Sequence, residues 1–210
     1  MKYVFLYLLV ATIGVQAQRF QANLDSSQII GSAPNSSFTG TATFEYRNNG
    51  VPELTYQFVL LGMDLDGNRT PGDFSDDVTA IHVHFGSAGA TGPHALNVYG
   101  LSAGSVREDD MEMTFNSASG TVMGRWDDSD QVFTGAGGTK QPFDSVGISG
   151  ATTELFNGDL YVQVHTLSFP NGELRGQMTL VPEPGTWALL GLGLCVLRVR
   201  RGGRTRDRRD

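Results

Sequence analysis

The chain has 210 residues, enough for one domain with short flanking segments, and its hydrophobic content of 40% argues against global disorder. Its net charge is −7, and without the charged residues of the two ends the stretch 18–184 carries seven basic and twenty acidic residues, or −13. This acidity argues against nucleic-acid binding, which needs a basic surface, and is compatible with cation binding or with plain solubility.

The first seventeen residues have the features of a secretory signal peptide. Lys2 is followed by an apolar run from Tyr3 to Val15, and the sequence Val-Gln-Ala at 15–17 has the residue types that signal peptidase reads. Cleavage is therefore predicted after Ala17. Export leads to an oxidising compartment, yet the single cysteine, Cys195, lies near the C-terminus. The exported domain must therefore be stable without a disulfide.

Residues 18–181 contain short strand patterns at regular spacing and little helical periodicity. The segments are, in order, RFQANL, SFTGTATFEYR, ELTYQFVLLG, VTAIHVHFG, HALNVYG, MEMTF, SGTVMGRW, DLYVQVHTL and ELRGQMTL, with one helical turn expected in GATTELFNG. Alternation of polar and apolar residues is typical of half-buried strands, and Asn171-Gly172 is a strong hairpin signal. The pattern predicts an all-β, antiparallel Greek-key β-sandwich, either immunoglobulin-like or superoxide-dismutase-like.

The last 29 residues, 182–210, form a separate segment. Pro182-Glu183-Pro184 is followed by a short apolar run and then by an arginine-rich tail. The run is too short for a permanent membrane span, which needs about 20 residues, so it predicts a short hydrophobic helix that enters the membrane transiently. These three elements in this order resemble the PEP-CTERM sorting signal. The resemblance implies export in a Gram-negative bacterium and processing by an exosortase near the Pro-Glu-Pro.

All four histidines lie on or next to predicted strands. Alternation places His82 and His84 on one face of their strand, opposite the apolar residues that face the core, and His165 on the corresponding face of a later strand. The turn before His94 can bring that residue back toward the pair. Imidazoles two residues apart on a strand can chelate one ion, and four nitrogen ligands suit copper or zinc. The alternative is a set of outward-facing imidazoles that only form hydrogen bonds.

A second candidate site is the acidic loop DLDGNRTPGDFSDD. It places Asp64, Asp66, Asn68 and Asp73 within ten residues, and calcium takes six to eight oxygen ligands. The glycine and the closing glutamate of an EF-hand are not at their required positions. The same residues also favour ordinary solvated turns, so calcium binding and turn formation both remain open.

Five segments together resemble the CHRD domain: TGTATFEY, LTYQFVLLGM, VTAIHVHFG, GPHALNVYG and LYVQVHTLSFPNGELRGQM. The last of these is the most specific. The resemblance covers about residues 19–180 and implies an exported module with no established catalytic role. The start of the domain departs from the family pattern, since DSSQIIGSAPNSS lacks the usual Glu-Val-Pro-Pro run.

The histidine pattern is also similar to that of the copper/zinc superoxide dismutases. The resemblance would make His82, His84, His94 and His165 copper ligands and give Arg175 the role of steering an anion. Three departures weaken it: no second zinc site follows His94, the domain has no cysteine, and the active-site loop is shorter.

The combined prediction is an exported protein of the cell envelope or extracellular matrix that acts as a non-enzymatic binding or structural module. Its expected partners are an exosortase and either exopolysaccharide or surface proteins, with no nucleic acid. The alternative is a histidine-ligated copper or zinc metalloprotein.

Overall fold

The alternating segments of the sequence form two antiparallel sheets in the computed structural model, which describes residues 17–100 and 112–182. The strands are β1 (Gln18–Leu24), β2 (Thr39–Asn48), β3 (Pro52–Leu61), β4 (Val78–Phe85), β5 (His94–Tyr99), β6 (Thr114–Asn116), β7 (Thr121–Trp126), β8 (Leu160–Thr166), β9 (Leu174–Gln177) and β10 (Thr179–Leu180). One short helix, α1 (Thr152–Asn157), precedes β8, where the sequence predicts a helical turn. The all-β sandwich prediction is confirmed.

The larger sheet has the order β10-β1-β2-β3-β7-β6, and the smaller one has the order β5-β4-β8-β9. The chain passes between the two sheets after β3, β5, β7 and β9. The hairpin predicted at Asn171-Gly172 joins β8 to β9, and Gly172 has φ +115°, a conformation that favours glycine. The pairings β3–β7 and β4–β8 are long-range, so the sheets depend on the complete chain.

The core lies between the two sheets. The inward residues of β2, such as Ala42 and Phe44, are almost fully buried against the apolar side chains of the smaller sheet, including Ile81 and Val162. Trp126 is fully buried, and its indole N–H donates to the carbonyl of Val146 at 2.8 Å. Each large side chain buried in this way contributes about 1.5–3 kcal/mol, which is consistent with a domain that has no disulfide.

Strands β1 and β10 bring the two ends of the domain together. They pair antiparallel, with Phe20 opposite Leu180, and the N–H of Val181 donates to the carbonyl of Arg19 at 2.8 Å. The start of β1 and the end of β10 therefore lie at the same end of one sheet edge.

Several predicted features fall wholly or partly outside the described residues: the signal peptide, Glu183 and Pro184, the C-terminal apolar helix and the arginine tail. Within residues 17–100 and 112–182, no helix has the length and apolar character needed to cross a membrane.

Candidate metal centre

The four histidines meet on one face of the smaller sheet, opposite the core. His84 pairs directly with His94 across β4 and β5, while Ala80 pairs with His165 across β4 and β8. The ring centroid of His82 lies 4.1 Å from that of His94 and 4.9 Å from that of His165. The tertiary structure thus assembles side chains that are separated by up to 83 positions in the sequence.

Two bulges in β5 place His94 in this group. The register between β4 and β5 shifts twice, which leaves Ala95 and Val98 as extra residues on β5. In a regular strand, residues three apart point to opposite faces, so His94 and Asn97 would separate. The bulge at Ala95 turns both side chains to the same face, and the Nδ1 atom of His94 lies 2.8 Å from the Oδ1 atom of Asn97.

The loop after β7, residues 127–147, packs against β5 beside the histidines. The carbonyl of Pro142 accepts from the backbone N–H of His94 at 3.0 Å, and the ring of Phe143 packs edge-on against the imidazole at 5.2 Å. Exposure falls to 1% for His82, 7% for His84 and 5% for His94, whereas His165 is partly exposed. The alternative of surface-exposed imidazoles is therefore wrong for the first three, and at His94 the loop supplies part of the cover.

Hydrogen bonds fix the tautomers of His84 and His165. The Nδ1 atom of His84 lies 3.1 Å from the carbonyl oxygen of Gly92, and that of His165 lies 2.9 Å from the carbonyl oxygen of Pro170. A carbonyl only accepts, so Nδ1 carries the proton in both rings. The Nε2 atoms then carry free lone pairs; both are buried and have no hydrogen-bond partner.

His94 also has its Nδ1 atom beside a carbonyl oxygen, but this oxygen belongs to the side-chain amide of Asn97. Asn97 donates from Nδ2 to the carbonyl of Phe143 at 3.2 Å, which fixes its amide orientation and turns Oδ1 toward the imidazole. Nδ1 of His94 is then the donor, and Nε2 is the nitrogen left for a ligand. Metal-binding histidines commonly donate their second ring N–H to a carbonyl in this way, since the bond orients the ring and raises its basicity.

The ligand atoms of His82, His84 and His165 all lie within 4.8 Å of one another. A tetrahedral ion with metal–nitrogen bonds of about 2.0 Å holds its ligands about 3.3 Å apart, so small ring rotations close the site. His94 stands beside this group, with its ring centroid 4.4 Å from that of His84. Within the described residues, this is the one group of three or more His, Cys, Asp or Glu side chains with such spacing.

Burial keeps the imidazoles neutral. Loss of hydration lowers the pKa of His84 to about 3 and that of His94 to about 4, with further lowering from the neighbouring imidazoles. The pKa values of His82 and His165 are also lowered, and burial is the largest cause in both. The lone pairs are therefore available at neutral pH, and protons compete with a metal less strongly than they do at an exposed histidine.

Arg175 does not face an open channel. It is 3% exposed, its guanidinium lies over the ring of Tyr161 at 3.5 Å, and it donates to the carbonyl of Ala90 at 2.7 Å. Glu173, two residues earlier on the chain, accepts from the hydroxyl of Thr166 at 2.5 Å. The anion-steering role implied by the superoxide dismutase resemblance therefore does not fit the position of this arginine.

The acidic loop uses its carboxylates for turn formation. The two oxygens of Asp64 accept the backbone N–H groups of residues 66, 67, 69 and 70 at 2.7–3.1 Å. These bonds outweigh burial and lower the pKa of Asp64 to about 2. Asp66 accepts from the N–H of Asn68, and Asp73 from the N–H of Ser75. Among the described residues, Asp64, Asp66 and Asp73 do not form a group with the spacing of metal-binding atoms.

Ala17 and Pro182, the described residues of the two predicted processing sites, lie at the same end of one sheet edge. Ala17 directly precedes β1, and Pro182 directly follows the hydrogen bond between Val181 and Arg19. The carboxyl end of the domain is therefore fixed up to the residue before the Pro-Glu-Pro.

Sequence reasoning did not identify Asn97 or Tyr161 as residues of the site, nor the loop that packs beside it. Tyr161 pairs with His84 across β4 and β8, and their rings stack with centroids 4.9 Å apart and planes 8° apart. Alternation in LYVQVHT does place Tyr161 on the same face as His165, and this is the one sequence feature that could have identified Tyr161 as a residue of the site. Asn97 has no such signal, because its position depends on a bulge.

Comparisons with known proteins give two matches. The sequence model of the CHRD domain matches residues 20–178, and that of the PEP-CTERM protein-sorting motif matches residues 180–201. No curated protein and no solved structure matches the chain.

Proposed function

The chain belongs to the CHRD domain family and ends in a PEP-CTERM sorting motif, and on that premise we propose that it is a copper- or zinc-binding module of the cell surface. The sorting motif indicates export and exosortase-dependent localisation at the cell surface or outside the cell in Gram-negative bacteria. Neither family is an enzymatic one, so the proposed role of the metal is structural or carrier-like rather than catalytic.

One observation carries the proposal: His84 and His165 each donate from Nδ1 to a backbone carbonyl and leave a buried Nε2 lone pair without a hydrogen-bond partner. An unsatisfied buried nitrogen costs about 1–3 kcal/mol, so two in one cluster favour a compensating ligand. A metal ion supplies that ligand. A set of neutral nitrogens without thiolate or carboxylate suits copper or zinc rather than calcium, and divalent copper binds more tightly than zinc in the general affinity order.

The test is the metal content of the purified full-length protein, produced without a polyhistidine tag and exposed separately to copper, zinc and calcium salts. We expect about one copper or zinc ion per chain and no retained calcium. The double variant His82→Gln/His84→Gln should lose the ion. Val83→Ala is the matched control, because it weakens packing on the core face of the same strand and leaves both imidazoles in place.

A folded wild-type protein that retains neither copper nor zinc would overturn the proposal and leave the histidines as structural sheet residues. Equal metal content in the double variant would place the ion elsewhere in the chain. Circular dichroism of each sample separates loss of metal from loss of fold.

We also propose a partner-binding role for the outer face of the larger sheet. A groove of about 670 Å³ lies on this sheet. Its lining includes the polar residues Gln21, Thr43, Thr55 and Gln57, the apolar Met123, and the ion pair of Arg19 with Glu45 at 3.5 Å. Hydrogen-bonding side chains beside an apolar one suit a polysaccharide, and the two charged groups of the groove pair with each other, so exopolysaccharide is the proposed ligand. Co-sedimentation with purified exopolysaccharide should fall in Gln57→Ala. If the protein captures a surface protein and binds no polysaccharide, the surface protein replaces exopolysaccharide as the proposed ligand.

A further inference from the structure

The turn between β4 and β5, residues 86–93, supplies the oxygen that orients His84. The carbonyl of Gly92 accepts from the imidazole, and the neighbouring carbonyl of Pro93 accepts from the N–H of Phe85 at 3.0 Å. The Gly92 position admits only glycine, because an added Cβ atom would lie 2.0 Å from the carbonyl oxygen of Phe85. The direction of the His84 ring therefore depends on where this turn is held.

Tyr161 contacts both the ring and the turn. Its aromatic ring stacks on His84, and its hydroxyl lies 3.4 Å from the N–H of Gly92. The other face of Tyr161 carries the guanidinium of Arg175 at 3.5 Å from the ring centroid. The result is a three-layer stack, Arg175–Tyr161–His84, that runs from β9 across β8 to β4.

Arg175 also holds the turn in place through hydrogen bonds to its backbone carbonyls. Arg175 donates to the carbonyl of Ala90 at 2.7 Å and to that of Ser87 at 3.4 Å, while Gln177 donates to the carbonyl of Gly86 at 2.9 Å. Three carbonyls of the turn are thus held by side chains of β9. A guanidinium suits this task because its planar fork can stack on an aromatic ring and donate to oxygens at the same time.

We propose that Arg175 and Tyr161 are positioning residues of the metal centre, which together set the orientation of His84 through the turn 86–93. This inference rests on the proposed metal site. Neither residue touches the ion: Arg175 fixes the turn, Tyr161 fixes the plane of the imidazole, and Gly92 fixes which nitrogen carries the proton. In the metal-free protein, Nε2 of His84 is then unprotonated, and its lone pair is available in the ligand cluster.

A first experiment measures the tautomer of His84 in the metal-free full-length protein by long-range ¹H–¹⁵N NMR. Wild type should show a single tautomer with the proton on Nδ1. Tyr161→Leu and Arg175→Gln should show a mixture of tautomers, and Tyr161→Phe should stay close to wild type because it keeps the stacked ring. Arg175→Lys retains the cation and should lie between wild type and Arg175→Gln. Tyr46→Phe, which removes a hydroxyl from a buried tyrosine of the other sheet, is the matched control.

A second experiment measures copper affinity by competition with a chelator and records the electron paramagnetic resonance spectrum of the copper-loaded variants. Loss of an outer hydrogen-bonding partner typically weakens metal binding about 10–100-fold. We expect a loss of this size and altered copper hyperfine splitting in Arg175→Gln and Tyr161→Leu, with no change in Tyr46→Phe. If Tyr161→Leu unfolds, Arg175→Gln and Arg175→Lys carry the comparison.

Variants that fold, keep the single His84 tautomer and bind copper as wild type does would overturn the inference. Failure of wild type to bind any metal is a different result: it overturns the proposed function, while the tautomer measurement still decides whether Arg175 and Tyr161 set His84.

Discussion

His84 and His94 lie directly opposite each other across β4 and β5, with ring centroids 4.4 Å apart, although a turn of eight residues separates their strands. Protonation of either buried imidazole is unfavourable because the charge would be desolvated, and protonation of both would add mutual repulsion. The first prediction follows from this relationship.

The metal-free protein should lose stability as the pH falls below about 6.5. Burial lowers the folded-state pKa of His84 to about 3 and of His94 to about 4, while the unfolded chain takes up protons near 6.5. Between those values each imidazole reduces the free energy of unfolding by about 1.4 kcal/mol per pH unit. Urea unfolding at pH 7.5, 6.0 and 5.0 in the presence of a chelator measures the slope. His84→Gln should flatten it, and an equal slope in that variant would contradict the assignment.

Asp64 should act as the structural centre of the acidic loop. Its carboxylate accepts four backbone N–H groups, so Asp64→Asn leaves at least one without an acceptor and should lower the free energy of unfolding by about 2–4 kcal/mol. Asp73→Asn is the control, because Asp73 is exposed and its carboxylate accepts from the N–H and the hydroxyl of Ser75. Thermal unfolding with and without calcium completes the test. A rise in Tm with calcium would support the predicted calcium site.

Gly92→Ala should weaken both the fold and metal binding. The new Cβ atom would lie 2.0 Å from the carbonyl oxygen of Phe85, so the turn must move and take the Gly92 carbonyl away from His84. We expect a lower Tm and copper affinity reduced at least tenfold. Gly150→Ala provides the comparison, since its Cβ atom would meet only ordinary contacts at 3.5 Å. If Gly92→Ala is destabilised but binds copper as tightly as wild type, the turn does not control metal binding by His84.

The edge strand β10 should protect β1. A chain ending at Val181 keeps the pairing of Phe20 with Leu180 and the bond from Val181 to Arg19, so its Tm should equal that of the full chain. A chain ending at Met178 loses these bonds, which costs about 1–3 kcal/mol and exposes the edge of β1. Differential scanning fluorimetry and light scattering measure both effects. Equal aggregation of the two truncated chains would show that β10 is dispensable.

The pattern of neighbouring residues in the sequence was sufficient to predict most of the strands. Alternation in TGTATFEY predicts β2 and its buried residues, and Asn171-Gly172 predicts the β8–β9 hairpin, because period and turn chemistry are properties of neighbouring residues. The same rule puts His82 and His84 on one face of β4. Family membership and sorting were also readable, since both depend on short ordered motifs.

The sequence by itself therefore determined the sheets, the histidine pair and the route of export. Tertiary structure alone decided that the bulges of β5 bring His94 and Asn97 to one face, that three of the imidazoles are buried, with Phe143 packed against His94, and that Arg175 is tied to a turn. The physical reason is that burial and hydrogen-bond partners come from residues far away in the chain. A period of two fixes the face on which a side chain lies, but it carries no information about what covers that face.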